Sequence, residues 1–171
     1  MDYLEVGKLV NTQGIKGEVR VVSQTDFPEV RFRPGAILYA FPKTGDMERL
    51  EIDHVRKHKN FILLHFKDHP TINDVEHLKP ATLKIDAAEQ ADAPLQPGEY
   101  YYSQIIGLDV VDEQGRTLGT IKDIMDLGPN DVWVVECNGQ PDLLLPKIDE
   151  VIKQVDLDQG QVTVELLEGL E

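Results

Sequence analysis

The chain has 171 residues, 41% of them hydrophobic and 28% charged, a composition that fits one generous globular domain or two small ones. Its single cysteine, Cys137, excludes an internal disulfide and a cysteine-based zinc site, and no run is long and apolar enough for a membrane helix. The net charge of −14 lies wholly in one half: residues 1–88 carry thirteen Lys/Arg against thirteen Asp/Glu, and residues 89–171 carry four against eighteen.

Such a division implies two units with different partners. Phosphate backbones repel an acidic surface, because nucleic-acid binding relies on Lys and Arg displacing counterions. The same surface attracts basic proteins and speeds their encounter, although charge alone is equally compatible with a solubilising excess. The opening MDYLEVGKLV lacks a basic n-region and a long apolar stretch, so no signal peptide is expected. A cytoplasmic protein without membrane association is the expectation.

In chain order, the first segments are short and β-like. LEVGKLV precedes a glycine-punctuated turn and GEVRVVS; AILYAF, ERLEIDHVRKH, FILLHF and TLKI follow. ERLEIDHVRKH and FILLHF form a predicted hairpin turning at Lys59-Asn60. Only TINDVEHL has helical spacing, with Thr71 as N-cap, Asp74 three residues later, and Ile72, Val75 and Leu78 on one face. Many short strands with one helix predict a small barrel over residues 1–86. DAAEQADAPLQPG has linker composition, and residues 87–97 are read as the linker. From residue 98 to 171 the β pattern returns. LDVVDEQGRTLGTIKDIMDL is strand, turn and strand, with Gly115 in the turn. DVWVVEC alternates Val132, Val134 and Glu136 against Trp133, Val135 and Cys137. LLLP is a short buried strand, KIDEVIKQVD one helical turn leading into a strand, and QVTVELL the last strand. The expected second unit is another small antiparallel barrel, which makes the whole chain all-β.

Four groups of residues are candidates for function. The first is the turn bracketed by Gly14 and Gly17, which brings Lys16 and Arg20 towards an RNA backbone or serves simply as a barrel turn. The β-branched GEVRVV that follows rules out a phosphate loop, which needs a helix there. Arg56, Lys57 and Lys59 form the second, a basic stretch that suits phosphate contact or a solvated hairpin tip. All five histidines (His54, His58, His65, His69 and His77) lie in the first half, but a strand holds His54 and His58 about 13 Å apart, and no metal site is expected. Third is the acidic set Asp123, Asp126, Asp131, Asp149 and Glu150, which lacks a paired spacing with a nucleophile or base. Within it, DLGPND reads as a turn around Gly128-Pro129 held by its own Asp and Asn side chains. The second half holds no histidine, so it cannot supply a Ser-His-Asp set, and neither catalytic residues nor a cofactor are expected.

The fourth group is the run Tyr100, Tyr101 and Tyr102, three of the five tyrosines in the chain. Neither a strand nor a helix can bury three consecutive side chains in one core. At least one ring is expected to face outward, another domain or another molecule, and tyrosine suits such contacts by its apolar body and polar tip.

Several stretches together resemble one family. VGKLVNTQGIKGEVRV and TDFPEVRFRPGAILY resemble the opening of the RimM family of ribosome maturation factors. EYYYSQIIGLDVVDEQGRTLGTIKDI, LGPNDVWVV, LLLPKIDEVIKQVDLD and the ending ELLEGLE resemble its second, PRC-type barrel. Gly14, Lys16, Gly17 and Glu18 fit the first block, while Gln13 stands where histidine is usual; Ser103 and Lys147 also depart from the commoner choices. The resemblance implies a translation-factor-like barrel followed by a PRC-like barrel. It implies a monomeric, non-enzymatic assembly factor that binds the free 30S subunit at its head, contacts ribosomal protein S19, and assists 16S rRNA processing. The family's partner-binding aromatic pair matches Tyr101 and Tyr102, with Tyr100 as an additional ring. The alternatives are an adaptor whose acidic barrel binds an unrelated basic protein, and an rRNA-processing nuclease.

Overall fold

The computed structural model describes residues 2–90, 93–126 and 131–166. The chain divides into two compact units, Met1–Glu99 and Tyr100–Glu171.

The first unit is built on six strands: β1 (Tyr3–Gln13), β2 (Glu18–Ser23), β3 (Ile37–Pro42), β4 (Glu48–His58), β5 (Phe61–Phe66) and β6 (Ala81–Asp86). They close into a barrel in the order β1-β2-β5-β4-β3-β6, every neighbouring pair antiparallel. These are the six segments predicted from their alternation and β-branched content. Period-two spacing sends Val19 and Val21, Ile62, Leu64 and Phe66, and Leu83 and Ile85 into the interior, where they are buried. Each such side chain contributes about 1.5–3 kcal/mol through its removal from water. Closure leaves no unpaired sheet edge. The β4–β5 hairpin turns at Lys59-Asn60 as predicted, with His58 paired to Phe61 and Lys59 at φ +56°.

Two short helical segments lie between strands of the barrel. The first, α1 (Pro28–Arg31), is absent from the sequence reading; it starts without a side-chain N-cap, and its local signals are Pro28 and Glu29 in the first turn and Arg31 in the last. The second, α2 (Ile72–Val75), runs on into a 3-10 turn over Glu76–Leu78 and buries Val75 and Leu78, the face predicted. The Asp74 carboxylate accepts bonds from the Thr71 N–H and hydroxyl, both 3.0 Å, and these hold its pKa below the usual carboxylate range.

Residues after β6 fold back onto the first unit. The Ala87 N–H donates to the Asp2 carbonyl, and Glu89 accepts from the Arg49 guanidinium (2.9 and 3.1 Å) and from the Tyr39 hydroxyl. Arg31, at the end of α1, is fully buried. It donates to Glu99 Oε1 (2.6 Å) and Oε2 (3.0 Å), to Gln90 Oε1 (3.1 Å), and to the carbonyls of Ala93 (2.8 Å) and Pro94 (3.0 Å). One guanidinium thus gathers Gln90, Ala93, Pro94 and Glu99, which lie in a sequence with no apolar periodicity of its own.

The second unit opens with α3 (Tyr102–Ile105), followed by β7 (Asp109–Val111), β8 (Thr117–Asp126), β9 (Asp131–Glu136), β10 (Leu143–Pro146), β11 (Ile152–Asp156) and β12 (Gln161–Val164). They form one sheet in the order β10-β9-β8-β7-β12-β11. All pairs are antiparallel except β7 and β12, which run parallel. This corrects the fully antiparallel expectation. A parallel pair needs a long crossover, here the whole segment between the two strands, and local alternation carries no signal of the direction in which distant strands meet. Trp133, Val135, Ile121, Val110, Val162, Val164 and Leu145 form one core, and Ile152 and Val155 of β11 pack against it. Both outermost strands therefore contribute to the same interior, so the sheet curls into a barrel-like shell. LLLP is only half buried: Leu145 is inside, whereas Leu144 is 44% exposed. Lys147–Val151 makes one turn, with the Ile152 N–H donating to the Ile148 carbonyl, before β11. In the DEQG turn Asp112 Oδ1 accepts from the N–H groups of Gln114 and Arg116. The turn expected around Gly128-Pro129 and the end of ELLEGLE lie outside the described residues.

Candidate functional site

The cationic candidates of the first unit stand at separate places on the barrel. Lys16 is exposed in the Gly14–Gly17 turn between β1 and β2. That turn is seated on the segment entering α2: the Ile72 N–H donates to the Ile15 carbonyl at 3.0 Å, and the Gly17 backbone packs against the His69 carbonyl. Beside it, His65 Nδ1 lies 2.6 Å from Asp53 Oδ1. Lys57 and Lys59 are exposed at the β4–β5 hairpin. Because β2 pairs Val19 with Leu64 and Val21 with Ile62, the start of β2 meets the end of β5. The Lys16 turn and the Lys59 turn therefore occupy opposite ends of the barrel wall.

Arg20 and Arg56 lie between these ends, both cross-strand partners of Leu63 on β5. Their charges are engaged. Arg56 grips Glu18 through two bonds, Nε to Oε2 at 2.7 Å and Nη2 to Oε1 at 2.8 Å, and this pairing lowers the Glu18 pKa and raises that of Arg56. Arg20 donates from Nε to Gln13 Oε1 at 2.5 Å and lies over the Phe61 ring, 5.7 Å from its centroid. Gln13, the departure from the usual histidine, thus serves as an acceptor for Arg20. Lys16, Lys57 and Lys59 form no ion pair among the described residues, so their charges face water. Sequence reading marked all five cations alike, since the partners of Arg56 and Arg20 become visible only across the sheet.

In the second unit the tyrosine run enters the barrel at α3, and all three rings are half-buried. Tyr100 packs against the core cluster. The Tyr101 N–H donates to Gln104 Oε1 at 2.8 Å, and the Gln104 N–H returns a bond to the Tyr101 carbonyl at 2.9 Å, which fixes the first turn of α3. The Tyr102 hydroxyl donates to Asp131 Oδ2 at 3.4 Å, and the carbonyl of Asp131 accepts the Lys147 N–H. One ring thus builds the core, while the Tyr101 and Tyr102 rings remain half-exposed. Asp123, from the acidic set, accepts the N–H of Ile124 at 2.8 Å on the sheet surface, and Asp149 and Glu150 are exposed in the turn before β11.

A family model described as the RimM N-terminal domain matches residues 4–90, and one described as the PRC-barrel domain matches residues 97–171. A protein of Levilactobacillus brevis named ribosome maturation factor RimM is 59% identical over 172 residues, spanning 100% of both chains. One of the same name from Limosilactobacillus reuteri is 53% identical over 171 residues, again across 100% of both. A crystal structure from Pseudomonas aeruginosa, of a protein assigned to 16S ribosomal RNA processing, has 26% identity and a TM-score of 0.45, covering 96% of this chain and 98% of that one. A closed six-strand barrel followed by a PRC-type barrel, matched end to end at this identity, establishes that the chain belongs to the RimM family.

Proposed function

We propose that this chain is a non-enzymatic maturation factor of the small ribosomal subunit. It binds the free 30S particle at its head, contacting ribosomal protein S19 and nearby 16S rRNA, and assists assembly and rRNA processing. It works as a cytoplasmic monomer. The observation that carries this reading is the full-length 59% identity to a protein named ribosome maturation factor RimM. The distribution of charge supports it: the acidic half suits a basic ribosomal protein, and the balanced half presents Lys16, Lys57 and Lys59 to solvent for phosphate contact. Arg20 and Arg56 contribute to RNA only by exchanging their present partners. Binding favours one arrangement of the particle over its competitors, which requires differential affinity and no bond chemistry.

Tyr101 and Tyr102 are assigned to partner binding, with Tyr100 supporting them from the core. The variant Tyr101→Ala/Tyr102→Ala spares Tyr100 and is expected to weaken co-sedimentation with free 30S subunits about tenfold or more, with the circular dichroism spectrum unchanged. Full retention of binding removes the tyrosine assignment. A wild-type chain that ignores free 30S subunits, or binds mature ribosomes equally well, overturns the functional reading itself.

A further inference from the structure

Strand geometry assigns every side chain of β8, β9 and β10 to one face or the other. The cross-strand rows Ile121–Val135–Leu143 and Ile124–Trp133–Leu145 point into the core. The intervening rows, Asp123–Val134–Leu144 and Met125–Val132–Pro146, therefore occupy the outer face. Five of these six side chains are apolar, where an antiparallel sheet with one wet face ordinarily carries polar residues. Leu144 is 44% and Met125 36% exposed, whereas Val134 on the central strand is only 5% exposed, so the apolar surface is open at its two flanking strands and closed at its centre.

The surroundings are acidic. Asp123 is exposed within the face, Glu136 follows two residues after Val134 on the same side of β9, and Asp142 stands just before β10, paired at 2.7 Å with Lys122. Residues 100–171 carry four basic and fifteen acidic side chains, a net −11. Phosphate is repelled by such a field, and so is a second copy of the same unit. A Lys/Arg-rich protein segment with apolar anchors is complementary to both features.

We infer that the outer face of β8, β9 and β10 is the docking surface for a basic protein segment, with Met125 and Leu144 as its apolar contacts and Asp123 and Glu136 as its charge partners. The inference rests on the reading that the second unit grips a basic ribosomal protein, and adds the face that does so.

The test uses the full-length chain and purified free 30S subunits at low salt. The double variant Met125→Lys/Leu144→Lys is expected to bind about tenfold or more weakly, with an unchanged thermal transition, because both side chains are already in contact with water. Met47→Lys, at a side chain 40% exposed on the first unit, is expected to bind within about twofold of the wild type. A photo-crosslinking benzoylphenylalanine at position 144 is expected to label a basic ribosomal protein. Wild-type binding with an equally tight double variant, or a crosslink to RNA or to a second copy of the chain, overturns the docking face alone. Failure of the wild-type chain to co-sediment overturns the functional reading and this inference with it.

Discussion

Arg31→Met is expected to destabilise the first unit by about 3–5 kcal/mol, the usual cost of removing one partner from a buried ion pair. The guanidinium is fully buried and makes five bonds, two of them to the Glu99 carboxylate. Methionine matches its bulk but leaves Glu99 buried without a counterion. It also strands the Ala93 and Pro94 carbonyls that the guanidinium satisfied, and Gln90, Ala93, Pro94 and Glu99 lose their attachment to α1. Chemical denaturation of the full-length protein, followed by circular dichroism, measures the effect; a loss below about 1 kcal/mol would show that the pair is dispensable.

The same pair makes stability depend on pH. Burial alone would raise the Glu99 pKa, but bonds from Arg31, the Gln96 N–H and the Thr25 hydroxyl outweigh it, so the carboxyl ionises below the usual range. Its folded pKa therefore lies below the unfolded value of about 4.3. The resulting stabilisation is complete above that value and disappears as pH falls through the folded pKa. Glu99→Gln removes this dependence. The difference in melting temperature between wild type and variant should be widest near pH 7 and should narrow progressively as pH falls below about 4.3. A difference that stays constant down to about pH 3 contradicts the account.

Gly17→Ala is the second large effect, expected at about 3 kcal/mol. Gly17 adopts φ +86°, where a side chain costs about 1–3 kcal/mol. An added Cβ would also stand 2.2 Å from the His69 carbonyl oxygen, so the turn must lift off the segment entering α2. Gly14 is the internal control. Its φ is +67°, but its Cβ would meet nothing within 4 Å, so Gly14→Ala should cost only about 1 kcal/mol. Equal losses for the two variants would show that the close approach at Gly17 has no energetic weight. Because Lys16 sits between them, Gly17→Ala also displaces the most prominent exposed cation of this turn, whereas Gly14→Ala leaves it nearly in place.

The candidate interfaces were only partly legible in advance. Adjacency in sequence brought out Tyr100, Tyr101 and Tyr102, and their inability to share one core is a consequence of backbone geometry alone. Their division of labour was not visible, because it depends on α3 beginning at Tyr102 and on Asp131 arriving from β9. The basic stretch at Arg56, Lys57 and Lys59 was equally plain as a string of letters. Its loss of one free charge was not, since Glu18 lies 38 residues away and reaches Arg56 only across β2, β5 and β4.

Read alone, the amino-acid sequence determined the β class, the positions of the barrel strands, the Lys59-Asn60 hairpin, the single cysteine, and the confinement of the negative charge to one half. All of these follow from short-range patterns: alternation, turn chemistry and composition act within a few residues, so they survive in a linear reading. Tertiary structure decided the rest. It set β12 parallel to β7, buried Arg31 against a carboxylate 68 residues distant, pressed Gly17 against the His69 carbonyl while leaving Gly14 open, and gathered Met125 and Leu144 onto one outer face. The physical reason is common to all four: each depends on which distant segment closes against which, and closure is a property of the packed chain that no local window contains.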